Sequence, residues 1–301
     1  MHVLLTGATG WIGQHLACQL HARGFHITAV ARRTESFEPL ASSWPKEIER
    51  VAADLAGDLS ALPSQVDAVV HVAGQSLASG MPAWLSVRDN LVATHHLLNY
   101  ALYAGAQRFI FTSSLSVYGA ITEPVVDEAT PCVDPGSYGL SKLLAERLLA
   151  DESDTMPVLA LRLPGVLGTG ASQPWVARML QQMLAGETIA IFNPDSLFNN
   201  AVYIDDLGDF IAGVLTQPLL TGFDVVTLGA KGTVLVREVP AIMAAAIGFH
   251  QSVCYIAASR SSFIVSSEHA ITRYGYAPRH ITDILRHFAC EYQASPQQNI
   301  F

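Results

Sequence analysis

The sequence is poor in charge. Asp, Glu, Lys and Arg make up 14% of its 301 residues, and only three are lysines: Lys46, Lys142 and Lys231. With a formal net charge of −9 it lacks the clustered basic surface that nucleic-acid phosphates require, so a small molecule is the expected partner and nucleic acid is not. Cysteine is scarce as well. Cys18, Cys132, Cys254 and Cys290 lie far apart with no CxxC, which points to buried thiols in a reducing compartment instead of a disulfide framework. No charged and apolar leader stands between Met1 and the first apolar run, so secretion is not expected and a cytoplasmic location is. The longest apolar stretches, such as "AIMAAAIGF", fall well short of the ~20 residues a membrane span requires. Eleven histidines include no HExxH-like spacing, and the neighbours in "THHLL" would diverge on a helix; no metal is expected.

Half the residues are nevertheless hydrophobic, and the mean hydropathy of +0.31 fits strands buried on both faces. Apolar runs at "HVLLTG", "HITAVA", "AVVHVAG", "RFIFTSS" and "VLALRLP" alternate with amphipathic stretches at "WIGQHLACQLHARG", "WLSVRDNLVATHHLLNYALYAG" and "SYGLSKLLAERLLADE". That alternation predicts an α/β fold of the Rossmann type, a doubly wound parallel sheet with right-handed crossovers. The rhythm loosens after Pro164: helices near 174–185, 206–216, 236–248 and 281–292 and a strand at "FDVVTLG" remain. The expected division is a dinucleotide-binding domain over 1–163, rejoined by about 199–229, and a smaller substrate-binding lobe from 164–198 and 230–301. The loops at 119–136 and 164–174 are long enough to suggest function.

The most specific motif is "LLTGATGWIGQHL". It sets Gly7, Gly10 and Gly13 where a strand ends and a helix begins, allowing a tight turn, close approach of a pyrophosphate and tight helix packing. An NAD site usually carries an acid about 20 residues further on, for the ribose hydroxyls. Here "HITAVARRT" places Ala31 at that point, followed by Arg32 and Arg33, whose guanidiniums could bracket a 2′-phosphate. NADP is therefore the expected cofactor, ahead of NAD. Asp54 and Leu55 follow the third strand and either turn toward the adenine or simply build a loop.

"FIFTSSLSVYG" ends a strand in hydroxyls, and "SYGLSK" opens a helix 24 residues later. In a doubly wound sheet both reach the carboxyl edge, where ligands bind. Ser114, Tyr138 and Lys142 would converge there. A tyrosine has a pKa near 10 and works at neutral pH only if positive charge stabilises its phenolate; Lys142, one helical turn away, and an oxidised nicotinamide would supply it.

The chain resembles the extended short-chain dehydrogenases/reductases of the NAD(P)-dependent epimerase/dehydratase family. "TGATGWIG", "HVAG", Asn90 in "DNLVATHHLL", "TSSLSVYG", "YGLSK", "LRLPGVLGTG" and "YIDDLGDFI" occur in family order from residue 3 to about 213, and "RYGYAPRHITDILRHF" resembles the closing segment. The resemblance implies that Tyr138 and Lys142 are the catalytic pair, Ser114 the catalytic hydroxyl and Ser116 its helper. It also implies cofactor contacts from Thr9, Trp11, Ile12, Val72, Ala73, Gly74, Asn90, Thr112 and Leu163, and substrate contacts from Ser76 and Asn200. Many nucleotide-sugar members have an arginine just before the "YIDDL" segment, where this chain has Asn199; Arg178 or Arg260 would replace it. Asp205 and Asp206 read as helix caps, and Trp84 and Trp175 as core or as a stacking surface.

Reduction of a ketone by NADPH on a nucleotide sugar, such as an NDP-4-keto-6-deoxyhexose, is the expected reaction, with Tyr138 as general acid. Epimerisation with retained NAD(P) uses the same residues. A 4,6-dehydratase fits less well, because Leu115 and Ser116 stand where an Asp-Glu pair is usual, and a non-catalytic NADP-binding sensor is remote. A homodimer through helices near 84–105 and 137–151 is implied.

Overall fold

The structure is a computed structural model, and it describes all residues except 41, 75–81, 219–220, 250–251, 257–261 and 295–301. In its first half the chain runs β1 (His2–Thr6), α1 (Trp11–Ala22), β2 (His26–Ala31), β3 (Glu49–Ala52), β4 (Ala68–His71), α2 (Ala83–Tyr103), β5 (Phe109–Ser114), β6 (Val125–Val126), α3 (Ser137–Asp151) and β7 (Val158–Leu163). Then follow β8 (Gly165–Leu167), α4 (Trp175–Leu184), β9 (Ile189–Phe192), β10 (Leu197–Phe198), β11 (Ala201–Tyr203), α5 (Ile204–Thr216) and β12 (Phe223–Thr227). The chain closes with β13 (Val234–Leu235), α6 (Glu238–Ile247), β14 (Val253–Ile256), β15 (Ile264–Val265), α7 (Glu268–Tyr274) and α8 (Ile281–Ala294).

Two compact units form. The first comprises Met1–Ala120, Pro131–Arg162 and Gly208–Val226. Its centre is a seven-stranded sheet in the order β12-β7-β5-β4-β1-β2-β3, a doubly wound Rossmann-type arrangement. The strand order reverses beside β1, whose parallel neighbours are β2 on one side and β4 on the other. A crevice for a ligand opens at such a switch point, beyond the carboxyl ends of the strands. The strands are apolar throughout because helices cover both faces: Val3, Leu4, Leu5, Val69, Val70, Phe109 and Leu161 are all buried. Apolar residues on α2 and α3, among them Leu97, Leu98, Ala145 and Leu149, complete one core. Strand β4 stops at His71, short of the apolar stretch 68–74, because Val72 and Ala73 leave the ladder to pass over Gly7.

The second unit comprises Ile121–Thr130, Leu163–Leu207 and Thr227–Phe301. It is built from two-stranded pairs, β6 with β15, β8 with β11, β9 with β14 and β10 with β13, and from α6 packed on α8, which buries Met243, Leu285 and Phe288. Asn199 is a bracket inside this unit. Its Nδ2 donates to the carbonyls of Ala230 (3.3 Å) and Val265 (2.8 Å), and its Oδ1 accepts from Val265 N (2.8 Å). Asp205 and Asp206 lie in the first turn of α5 instead of preceding it, and they grip Arg279: Asp206 Oδ2 accepts from its backbone N–H (2.9 Å), and Asp205 Oδ2 from its guanidinium (3.3 Å). Among the described residues no helix is long and apolar enough to cross a membrane.

Candidate active site

The loop after β1 is shaped by glycine. Gly7 has φ +67°, and a Cβ there would lie 2.6 Å from Ala73 N; a Cβ on Gly13 would lie 2.1 Å from the Gly7 carbonyl oxygen. Neither space admits a side chain, so α1 sits directly on the loop. Gly10 is the extended N-cap of α1, with no side-chain cap bond and no acid in the first turn. Trp11 and Ile12 stand in the first turn, and the positive end of the helix, which carries no acid, suits an anion. Thr9 turns its carbonyl away to accept from Gln14 Nε2 (2.7 Å). This cradle fits the diphosphate of a dinucleotide.

At the end of β2 the structure places Ala31, buried, where a ribose-binding acid would stand, followed by Arg32 and Arg33, both exposed. Asp54 builds a local turn: its Oδ1 accepts from Ala56 N (3.2 Å) and its carbonyl from Gly57 N (2.8 Å), while Leu55 is buried.

The hydroxyl cluster lies where β5 ends. Ser114 has an extended backbone and caps a 3-10 turn over Leu115–Tyr118; its Oγ accepts from Ser116 N (3.1 Å) and donates to Ser116 Oγ (3.1 Å). Helix α3 starts against that turn. A Cβ on Gly139 would stand 2.0 Å from the Ser116 carbonyl oxygen, so only glycine lets the residue after Tyr138 approach so closely. Lys142, one turn on, is buried. Its Nζ donates to the Thr112 carbonyl (2.8 Å) and lies 4.6 Å from the Phe111 ring centroid and 6.0 Å from that of Tyr138. A Cβ on Gly74 would stand 3.0 Å from the same Nζ. Asn90 joins through Ser141, whose Oγ accepts from Asn90 Nδ2 (3.1 Å) and donates to the Tyr138 carbonyl (2.8 Å). Thr6, Ala73, Thr112 and His71 form the floor: Thr6 Oγ1 accepts from Ala73 N (3.3 Å), and Thr112 Oγ1 donates to the His71 carbonyl (3.2 Å).

Electrostatics set what these groups can do. Burial lowers the Lys142 ammonium from 10.5 to about 8, with nearby Glu146 opposing the shift. Burial raises the Tyr138 phenol, so it needs positive charge nearby to ionise. Burial, and then Lys142, lowers His71 to about 3; as a neutral ring it shares hydrogen bonds with Thr6 Oγ1 (2.7 Å) and Thr94 Oγ1 (3.2 Å).

One buried network was not anticipated from the sequence. Glu146 and Arg162 pair at 2.7 Å with side chains 3% and 8% exposed. Ser113 Oγ donates to Glu146 (2.5 Å), and Arg162 donates to Tyr118 Oη (3.0 Å). It ties the strand that carries Ser114 to the helix that carries Tyr138 and Lys142. An acid four residues after Lys142 and an arginine inside the apolar run "LALRLP" were the available signals.

In the second unit Arg178 and Asn200 line a cavity of about 620 Å³ together with Trp175, Ile191, Phe192 and Phe198. Trp175 meets Phe198 edge-on at 5.1 Å, and Asn200 Oδ1 is buried with no hydrogen-bond partner among the described residues. Leu163 closes β7 and is buried. Trp84 is 63% exposed on α2. Ser76 and Arg260 lie outside the described residues.

A profile of the NAD dependent epimerase/dehydratase family matches residues 3–226. The chain is 32% identical to a UDP-glucose 4-epimerase of Erwinia amylovora over 186 residues, 57% of this chain and 55% of that enzyme, so the match spans little more than half of that relative. It is 31% identical to a D-erythronate dehydrogenase of Cupriavidus necator over 209 residues, 62% of this chain and 63% of that one. The structure of MoeE5 in complex with UDP-glucose and NAD superposes with a TM-score of 0.79 at 26% identity, covering 99% of this chain and all of that one.

Proposed function

Because the chain belongs to the NAD dependent epimerase/dehydratase family, we propose that it is an NAD-dependent nucleotide-sugar epimerase, inverting the C4 carbinol of a UDP sugar. It is an enzyme of the extended short-chain dehydrogenase type, and the intact Tyr138–Lys142 pair sets the sensor reading aside. The observation that carries the proposal is the convergence at the sheet's carboxyl edge of a glycine cradle, a Tyr138–Lys142 pair anchored on Thr112, and the Ser114 hydroxyl.

When bound, NAD would supply a reversible hydride acceptor for the carbinol carbon. Tyr138 Oη takes the hydroxyl proton as the hydride leaves and gives it back on return. Lys142 keeps positive charge beside the phenol. Ser114 turns its O–H from Ser116 to the sugar oxygen, and Ser116 in turn donates to Ser114. Within the second unit's own cavity, Arg178 supplies charge suited to a diphosphate, Trp175 and Phe192 apolar surface suited to a base, and Asn200 Oδ1 an acceptor for an N–H.

The cofactor expected from Arg32 and Arg33 gives way to NAD in this reading. A solved relative of similar length, MoeE5, is in complex with NAD, and an epimerase holds one cofactor through both half-reactions, which needs no 2′-phosphate pocket. One observation favours a second reading, an NADP-dependent ketone reductase: both arginines are exposed beyond β2 and no acid stands there. Supplying UDP-glucose with catalytic NAD separates the two. Formation of the C4 epimer without net change in cofactor absorbance supports the epimerase, whereas no epimer there, with NADPH consumed one-to-one against a 4-keto nucleotide sugar in a parallel assay, supports the reductase.

A further inference from the structure

At the opposite, amino edge of the same sheet, three adjacent strands bring metal-ligating side chains together. The register pairs His2 with His26 and Thr28 with Glu49. Directly paired residues share a sheet face, as do residues two apart on one strand, so all four point the same way. The imidazoles lie 4.3 Å apart between centroids. His2 Nε2 is 2.8 Å from Thr28 Oγ1, Thr28 Oγ1 donates to Glu49 Oε2 (2.8 Å), and His26 Nε2 is 3.1 Å from Glu49 Oε1. One ligand atom from each of His2, His26 and Glu49 falls within 4.8 Å of the others.

We propose that His2, His26 and Glu49 bind one divalent transition-metal ion at this edge. Two imidazole nitrogens and a carboxylate oxygen match Zn²⁺ or Co²⁺, whereas Mg²⁺ and Ca²⁺ prefer oxygen alone. Ligand bonds of about 2.0–2.2 Å put the atoms of a tetrahedral set about 3.3 Å apart. The one ligand-to-ligand hydrogen bond, His26 to Glu49 at 3.1 Å, is already near that length, and the His2 ligand atom lies within 4.8 Å of both. His26 and Glu49 are 50% and 52% exposed, so an ion enters from solvent and water completes the set. The site is remote from the glycine loop, which follows the carboxyl end of β1. Its effect is structural: β3 is the outer strand of the sheet, and an ion shared by β1, β2 and β3 would clip it to its neighbours and stabilise the folded chain.

The test is calorimetric titration of ZnCl₂ into the full chain after EDTA treatment and dialysis, alongside His26→Ala, Glu49→Gln and the control His287→Ala. His287 forms a separate exposed pair with Glu291 (3.1 Å). The expected result is about one equivalent of zinc in the wild type, at least about tenfold weaker binding in His26→Ala and Glu49→Gln, and no change in His287→Ala. Glu49→Gln preserves shape, so it keeps the test sound if His26→Ala folds poorly. Uptake unchanged in Glu49→Gln, no uptake by the wild type, or an equal loss in His287→Ala would each overturn the proposal.

Discussion

Replacing Lys142 by Met removes the positive charge nearest the Tyr138 phenol while keeping the length of the side chain. The ammonium is 6.0 Å from the Tyr138 ring centroid. At an effective dielectric constant of about 20, two unit charges at that separation interact by about 2.8 kcal/mol, equivalent to about two pKa units. The phenolate loses support of up to that size, so the Tyr138 pKa rises and the basic form at neutral pH falls by up to about a hundredfold. The rate should fall by a comparable factor, and the limb of the pH–rate profile that reports the base should move to higher pH. Thr112 also loses the donor to its carbonyl, which costs about 1–3 kcal/mol of stability, so the variant needs assay well below its melting temperature. Steady-state rates between pH 6 and 10, with cofactor affinity measured separately, check this. Tyr138→Phe provides the contrast: kcat falls about 10²–10⁴-fold with cofactor affinity nearly unchanged. A Lys142→Met profile superimposable on the wild type, or Tyr138→Phe retaining above about a tenth of activity, would refute the assignment.

Three further outcomes follow from the same geometry. Glu146→Gln leaves the Arg162 charge buried and uncompensated, so denaturant titration should show a loss of about 3–5 kcal/mol; a loss under about 1 kcal/mol would contradict that role. His71 is held near 3 in the fold against 6.5 in the unfolded chain. The unfolded chain therefore binds the extra proton as pH falls through 6.5, and stability declines from there toward pH 3; His71→Asn should flatten that slope in melts at stepped pH, and an unchanged slope would count against it. Exposed Trp84 and Tyr103 on α2 and Leu140 and Leu144 on α3 support a homodimer, so light scattering should give twice the chain's 32.3 kDa; a monomer mass would exclude it.

The parts legible in the sequence are those whose geometry is local. Gly7, Gly10 and Gly13 mark a strand-to-helix turn within seven residues, and Tyr138 and Lys142 share a helix face by spacing alone. The four two-residue strands and β8 and β11 are fixed by partners distant in sequence, as β6 is by β15, so no run of alternating residues announces them. Asn199 was read as the position of an absent arginine, yet its amide is consumed in joining Ala230 to Val265. Arg162 looked like one polar residue in a buried strand, because its partner Glu146 stands on another element. The amino-edge cluster was invisible for the same reason: His2, His26 and Glu49 meet only once three strands align.

In the proposed epimerase, one bound nicotinamide cofactor would carry a sugar carbinol through oxidation and back. Incubation of the purified protein with UDP-glucose and catalytic NAD, followed by separation of the nucleotide sugars, tests it most directly. The expected result is UDP-galactose at equilibrium with no net NADH, and no UDP-galactose with Tyr138→Phe. Absence of the C4 epimer, with NADPH consumed one-to-one against a ketone substrate, would contradict it.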